Sequence, residues 1–390
     1  MNRHSSLCLV SALAATLSTA AYAQDDIKVG MALATSGWHA PYDYAYRTAQ
    51  MAVDDINAKG GLLGRKLSVK VFDTKSDAIE SAKVGAELAA EAPDVAIISC
   101  DYDTGAPAAL STTSAGIISI SMCSGEPKFG IKGLGNLAFT AGTAGQSQGA
   151  VDAQWAHDVK GYRKAYVLTD TQIEYTKSVC AGFNWEWGQL KDTKVTGSDT
   201  FKNQDASIAT QISNLKSSSE KPDFIMLCSF MPGGASALRQ IRAAGIDLPI
   251  FMPSGSDGSY WMAGVPNLSN VFVPSGAMLN GHDPNPKVNE IVKRYEDKYG
   301  EAPTTAYVLF GYSAIELWAK AVEKAGTTDS TAVRKAMESF SSEPLLVGKY
   351  TFTDKLHIQN QATFQMLGIE NGEYKSFGYV SSPALKDGML

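Results

Sequence analysis

Short, continuously apolar runs separated by amphipathic stretches recur along almost the whole chain, and this alternation restricts the fold more than any other feature. The runs cover residues 27–32, 67–73, 95–99, 117–122, 165–169, 224–227 and 250–252. A strand covered on both faces has no reason to alternate apolar with polar residues, so runs of this kind predict buried parallel strands. Between them apolar residues return at helical spacing, as at Ala49, Ala52, Val53 and Ile56, and again at Val288, Ile291, Val292 and Tyr295. Strand–helix alternation predicts an α/β fold with a doubly wound parallel sheet. It runs twice, over about 27–138 and again from Ala165, with the Gly/Ser/Thr-rich stretch 140–149 between. The expectation is two lobes of similar architecture, which suits a chain of 390 residues. Ligands of open α/β sheets bind beyond the carboxyl ends of the strands. The loops to read are therefore 35–46, 100–107, 123–129, 170–175, 229–234 and 254–260.

The first residues point to export. Arg3 and His4 precede an apolar stretch over 7–17, and Ala21-Tyr22-Ala23 has the small-x-small form of a cleavage site. Residues 1–23 therefore read as a cleaved signal peptide, too short and too polar to remain as a membrane span. Cys8 does not follow a lipid-attachment pattern, so a protein released into the periplasm is expected. The remaining cysteines, Cys100, Cys123, Cys180 and Cys228, allow three pairings in an oxidising compartment. Cys100 and Cys123 end two successive predicted strands, which favours their pairing and leaves Cys180 with Cys228. No C-x-x-C occurs and the 5 histidines are scattered, so neither a metal nor another cofactor is expected. The net charge of −6 is spread along the chain with no basic stripe, which argues against nucleic acid as a partner.

Motifs that would carry catalysis are weak. Gly145-Gln146-Ser147-Gln148-Gly149 fits the G-x-S-x-G of a nucleophile elbow, and Ser147 would be the nucleophile of a secreted hydrolase. No histidine is marked as its partner: His157 lies too near on the same helix, and His282 and His357 fall in polar turns. The glycines at 60, 61 and 64 and the segment Ser254-Gly255-Ser256-Asp257-Gly258 lack the spacings that cradle phosphate. Cys123 has no nearby base and a plausible disulfide partner. No catalytic residue is expected.

One segment, Met51-Ala-Val-Asp-Asp-Ile56-Asn-Ala-Lys-Gly60-Gly61-Leu-Leu-Gly64-Arg65, closely follows a family pattern, A-x-x-x-I-N-A-x-G-G-x-x-G. With Val71-Phe72-Asp73 and Asp77, Phe139-Thr140 with Gln148-Gly149, Pro222-Asp223, and Leu238-Arg239-Gln240 with Ala243-Ala244-Gly245, the whole chain after the leader resembles the branched-chain amino acid (leucine/isoleucine/valine) binding proteins. These are type I periplasmic solute-binding proteins of ABC transporters. The resemblance implies a three-segment hinge, with crossings near Thr140, Ser275 and Leu346. It would make 24–140 plus 276–345 the N-terminal lobe and 141–275 plus 346–390 the C-terminal lobe. It also implies a monomer that delivers a small solute to an inner-membrane permease; a sensing module for a receptor partner is the alternative.

Carried over position by position, the resemblance puts Trp38 and Tyr42 against the ligand, Tyr42 matching a family aromatic. Hydroxyls that receive a ligand carboxylate in the family fall at Asp101, Tyr102 and Asp103 after the third strand, and at Cys123, Ser124 and Gly125 after the fourth. From the other lobe come Tyr175, Phe230 or the adjacent Met231, and Ser254, which stands where the family has an ammonium-binding carboxylate; Asp257 is the nearest substitute. The donor loop has thus gained acids while the acid position has lost its charge. Buried carboxylates beside a bound carboxylate are costly. The expected ligand is a small polar solute that could be an amide, amine, urea-like compound or stacked aromatic as readily as an amino acid.

Overall fold

The computed structural model describes residues 25–390, so the signal peptide expected over 1–23 lies outside the described residues. In chain order the strands are β1 Ile27–Leu33, β2 Leu67–Asp73, β3 Val95–Ile98, β4 Ser119–Ser121, β5 Ala138–Thr140, β6 Lys164–Asp170, β7 Lys194–Phe201, β8 Phe224–Cys228, β9 Ile250–Phe251, β10 Val271–Ser275, β11 Glu343–Pro344, β12 Lys349–Tyr350, β13 Thr363–Glu370 and β14 Glu373–Ser381. The first five form one parallel sheet in the order β2-β1-β3-β4-β5. A second sheet runs β14-β13-β10-β9-β8-β6-β7. Two doubly wound α/β sheets, one per lobe, make up the molecule.

Every apolar run read as a strand is one: β1, β3 and β8 keep apolar side chains because both faces are buried, while β2 is an edge strand exposed along much of its length. The second sheet is nevertheless not parallel throughout: β13 pairs antiparallel with β10 and with β14. That hairpin turns through Asn371 and Gly372, whose φ values of 54° and 79° are those of a tight primed turn. A two-residue turn suffices for antiparallel strands, whereas a parallel neighbour would need a long crossover.

The chain enters the second sheet after β5 and leaves it after β10. The helices Pro286–Tyr299, Phe310–Ala325 and Ser330–Glu338 then pack with β1 and β3 in one core, where Tyr295 and Trp318 are fully buried. Only afterwards do β13 and β14 complete the second sheet. Where the outward and final segments pass, they touch: Ala144 N donates to Gln359 O at 2.9 Å, and the Tyr350 hydroxyl donates to Ala141 O at 2.5 Å.

Both expected disulfides are present, Cys100–Cys123 with Cα atoms 4.6 Å apart and Cys180–Cys228 at 5.8 Å. Ser147 is buried in the first turn of the helix Gly145–Asp158, and its hydroxyl donates to Asn360 O at 3.0 Å. Its neighbours Gly145 and Gly149 face the helix Glu174–Trp187 at close range. The glycines of G-x-S-x-G thus serve helix packing.

Candidate functional site

The carboxyl ends of β1, β3 and β4 face those of β6, β8 and β9 across a cleft, and the loops leaving them enclose a cavity. Its walls are aromatic: Trp38 and Tyr42 from the loop after β1, Tyr175 after β6, Phe230 after β8, and Tyr307 from the start of the apolar C-terminal helices. The rings of Trp38 and Phe230 meet across the cleft with centroids 5.1 Å apart, and those of Tyr42 and Tyr307 stand edge to face at 6.0 Å. Cys100, Cys123, Gly125 and Asp101 supply the remaining N-terminal wall. About 40 Å³ of the cavity is open to the centre of a water-sized sphere.

Hydrogen bonds tie the two sides together and occupy the tyrosine hydroxyls. Tyr42 donates to Gly255 O at 2.8 Å and receives the Tyr260 hydroxyl at 3.2 Å. Tyr175 donates to Gln148 Oε1 at 2.6 Å and accepts from Gly255 N at 3.2 Å. Burial pushes both phenols well above their ordinary range. The tyrosines therefore present rings to the cavity rather than acidic hydroxyls.

Asp101 caps the helix Tyr102–Ser114, with Oδ1 accepting from Thr104 N at 2.9 Å and from the Thr104 hydroxyl at 2.8 Å. It lines the cavity while capping. Asp103 sits one residue beyond Tyr102 and reaches across the cleft, where Oδ2 accepts from Glu174 N at 2.9 Å; burial pushes its carboxyl up to about 6. Tyr102 packs against the core group that contains Ile98 and does not line the cavity. Ser124 is buried behind Cys123, and its N–H is taken by the Ser121 hydroxyl at 2.9 Å. Ser254 lies beside the cavity with its N–H on Gln148 Oε1 at 3.1 Å. Asp257 faces elsewhere. Its carboxylate accepts from the Ser275 hydroxyl at 2.7 Å and from Ala306 N at 3.3 Å, it borders a separate cavity with Tyr374 and Thr304, and burial pushes it up to about 7.

His39, Tyr307 and Gln148 were not among the ligand-binding residues expected from the sequence, nor were Ile173 and Gly255, which also line the cavity. His39 lines the cavity, with Nδ1 3.3 Å from Asp43 Oδ1. Burial by itself lowers the imidazole pKa, but the charge and hydrogen bond of Asp43, aided by Asp101, reverse that and leave it raised. Asp43 in turn receives Ala34 N at 2.7 Å and Cys100 N at 3.0 Å, locking the β1 loop onto the disulfide. Tyr307 opens an apolar stretch that reads as pure core, and only its place after Thr304 and Thr305 marks it as a mouth residue. Gln148, noted only as a hinge residue, is a keystone. Besides receiving Tyr175 and Ser254 it donates through Nε2 to the Tyr307 hydroxyl at 3.2 Å.

Gln148→Leu keeps the volume but strands these buried donors and acceptors. An unsatisfied buried polar group costs about 1–3 kcal/mol, of which local rearrangement recovers part. The expected result is a loss of about 1–2 kcal/mol in urea unfolding; an unchanged midpoint would show that the contacts contribute nothing.

The family model for periplasmic binding proteins matches residues 26–373. The Leu/Ile/Val-binding protein BraC3 of Rhizobium johnstonii is 23% identical over 359 residues, covering 91% of this chain and 95% of that protein. The Leu/Ile/Val-binding protein of Escherichia coli is 25% identical over 361 residues, 91% of this chain and 94% of that one. Among solved structures, LivJ of Streptococcus pneumoniae in complex with isoleucine superimposes with a TM-score of 0.78 at 23% identity, covering 92% of this chain and all of that one. A leucine-binding protein, LivK, from Thermotoga maritima gives 0.79 at 20% identity, covering 91% and 98%.

Proposed function

The chain belongs to the periplasmic binding protein family, and from that premise we propose that it is the solute receptor of an ABC transporter. Its two lobes close on a small polar molecule and present the closed form to an inner-membrane permease. The observation that carries this reading is the cavity itself. Its walls come from both lobes, and the contacts that shape it, Tyr42 to Gly255 and Asp103 to Glu174, are contacts between lobes. A ligand seated there would touch both sides and so stabilise closure over opening, which is what a closing receptor requires.

On this reading residues 24–140 plus 276–345 move as one body and 141–275 plus 346–390 as the other, hinged where 140–149 and 346–362 run side by side. Trp38, Tyr42, Tyr175 and Phe230 would hold the ligand, with His39 and Tyr307 added to them. Ser147 plays no chemical part, since its hydroxyl is spent on the hinge carbonyl of Asn360.

The relatives bind leucine, isoleucine or valine by name, yet this cavity has no carboxylate after β9 facing a ligand ammonium. Ser254 stands near that place, and Asp257 is turned to another cavity. The ligand is therefore sought more widely. Thermal denaturation of residues 24–390 against amino acids, amides, amines, polyamines and aromatic acids tests the reading. A true ligand at a thousandfold excess over its Kd adds about 4 kcal/mol of stability. Should no compound in such a library shift the transition, the receptor reading fails.

A further inference from the structure

Resting on the receptor reading, we infer that the cavity takes a small organic cation bearing N–H donors, an amine or amidine, and that Asp101 is the residue that reads its charged head. Asp101 has one oxygen more than its cap needs. Oδ1 serves the cap on Thr104, whereas Oδ2 is buried in a residue only 3% exposed and meets no donor. A serine, threonine or asparagine would cap the helix equally well. A carboxylate oxygen withdrawn from water without a donor is costly, and an N–H from a ligand removes that cost.

The rest of the wall favours the same charge. Five aromatic rings surround the space, and their faces attract a cation and repel an anion. No lysine or arginine lines the cavity; His39, the one side chain there that can turn cationic, stands 3.3 Å from Asp43, its main counter-charge, with Asp101 the lesser one. The open space is small, about 40 Å³, which suits a compact head such as an ammonium or amidinium. The need of Asp101 for an N–H separates these cations from quaternary ammonium, which offers π contact but no donor.

Calorimetric titration of residues 24–390 decides the matter with ethylamine, benzylamine, acetamidine and benzamidine, set against tetramethylammonium, benzyltrimethylammonium, acetate, benzoate and leucine. The expected result is binding of at least one amine or amidine, tenfold or more tighter than its quaternary counterpart, with no heat from the simple carboxylates. Asp101→Asn keeps an oxygen for the Thr104 cap, so its unliganded stability should stay near the parent's while the affinity for that cation falls about tenfold to a hundredfold. Preference for leucine or a carboxylate, or an Asp101→Asn variant with parental affinity, would overturn the inference and leave the receptor reading standing. Silence from this panel while the wider library yields a neutral or anionic ligand overturns it too. Silence from panel and library alike overturns the receptor reading itself, and with it the inference.

Discussion

Asp152→Asn should make the protein more stable, and the gain should grow steadily with pH. Asp152 lies fully buried on the helix Gly145–Asp158, and neither of its oxygens meets a hydrogen-bond donor. Burial therefore holds its pKa well above the usual 3.8. A carboxyl with a raised folded-state pKa keeps a proton that the unfolded chain gives up, so its contribution is complete below about pH 4 and is lost progressively as pH rises. The loss amounts to about 1.4 kcal/mol per pH unit while the buried group stays protonated. Asparagine has no proton to lose. From pH 5 upward the stability gap should widen until the buried carboxyl ionises, measured as the difference between urea unfolding free energies at each pH. Every other titrating group is common to both proteins and cancels. Parallel curves would show that Asp152 ionises freely in the fold.

Gly149→Val should cost about 3 kcal/mol or more, enough to threaten folding at all. The helices Gly145–Asp158 and Glu174–Trp187 meet backbone to backbone. A Cβ on Gly149 would lie 1.9 Å from Val179 O, and one on Gly182 would lie 2.0 Å from Gln146 O. Neither obstacle is a side chain that can swing aside, so the helices must part, and the packing around Phe183 and Val179 would loosen with them. Gly264→Ala is the matched control, because nothing lies within 4 Å of the carbon it adds. Equal midpoints for the two variants would refute the close-packing argument. The result also bears on the G-x-S-x-G match: both its glycines lie at a helix crossing, where Gly149 leaves no room for a side chain.

The fold was readable where the physics is local and repetitive. β1, β3, β6 and β8 are buried on both faces and announce themselves as apolar runs. β7 does not, because Lys194–Phe201 is an edge strand, largely exposed, with polar residues through its centre. β5 has only 3 residues, too short for any period to register, whereas the equally short β4 was marked by the apolar run 117–122 around it. In the site, strand-end geometry pointed to the loops, but it was the family resemblance that singled out Trp38, Tyr42, Tyr175 and Phe230 within them. Tyr307 could not be named, since it arrives from more than 260 residues further along the chain than Trp38, in a stretch whose apolar character signals core. The two candidate acids divide in the same way. Sequence spacing shows that Asp101 and Asp257 stand near the right strands, but whether a side chain turns inward depends on partners such as Ser275 and Thr104, which spacing does not reveal.

The disulfides have a consequence for how the chain is made. Each joins residues within one sheet's half of the molecule, across 23 and 48 positions, and both cysteines of the first bridge precede both of the second along the chain. A polypeptide threaded across a membrane from its amino end would thus offer its thiols in matched succession, and an oxidant acting as they appear makes the native pairs without reshuffling. The helices that finish burying β1 and β3 come only after residue 285. The Cys100–Cys123 bridge would then hold the half-covered first sheet in register through most of translocation, as a clasp against misassembly while its last layer is still on the far side.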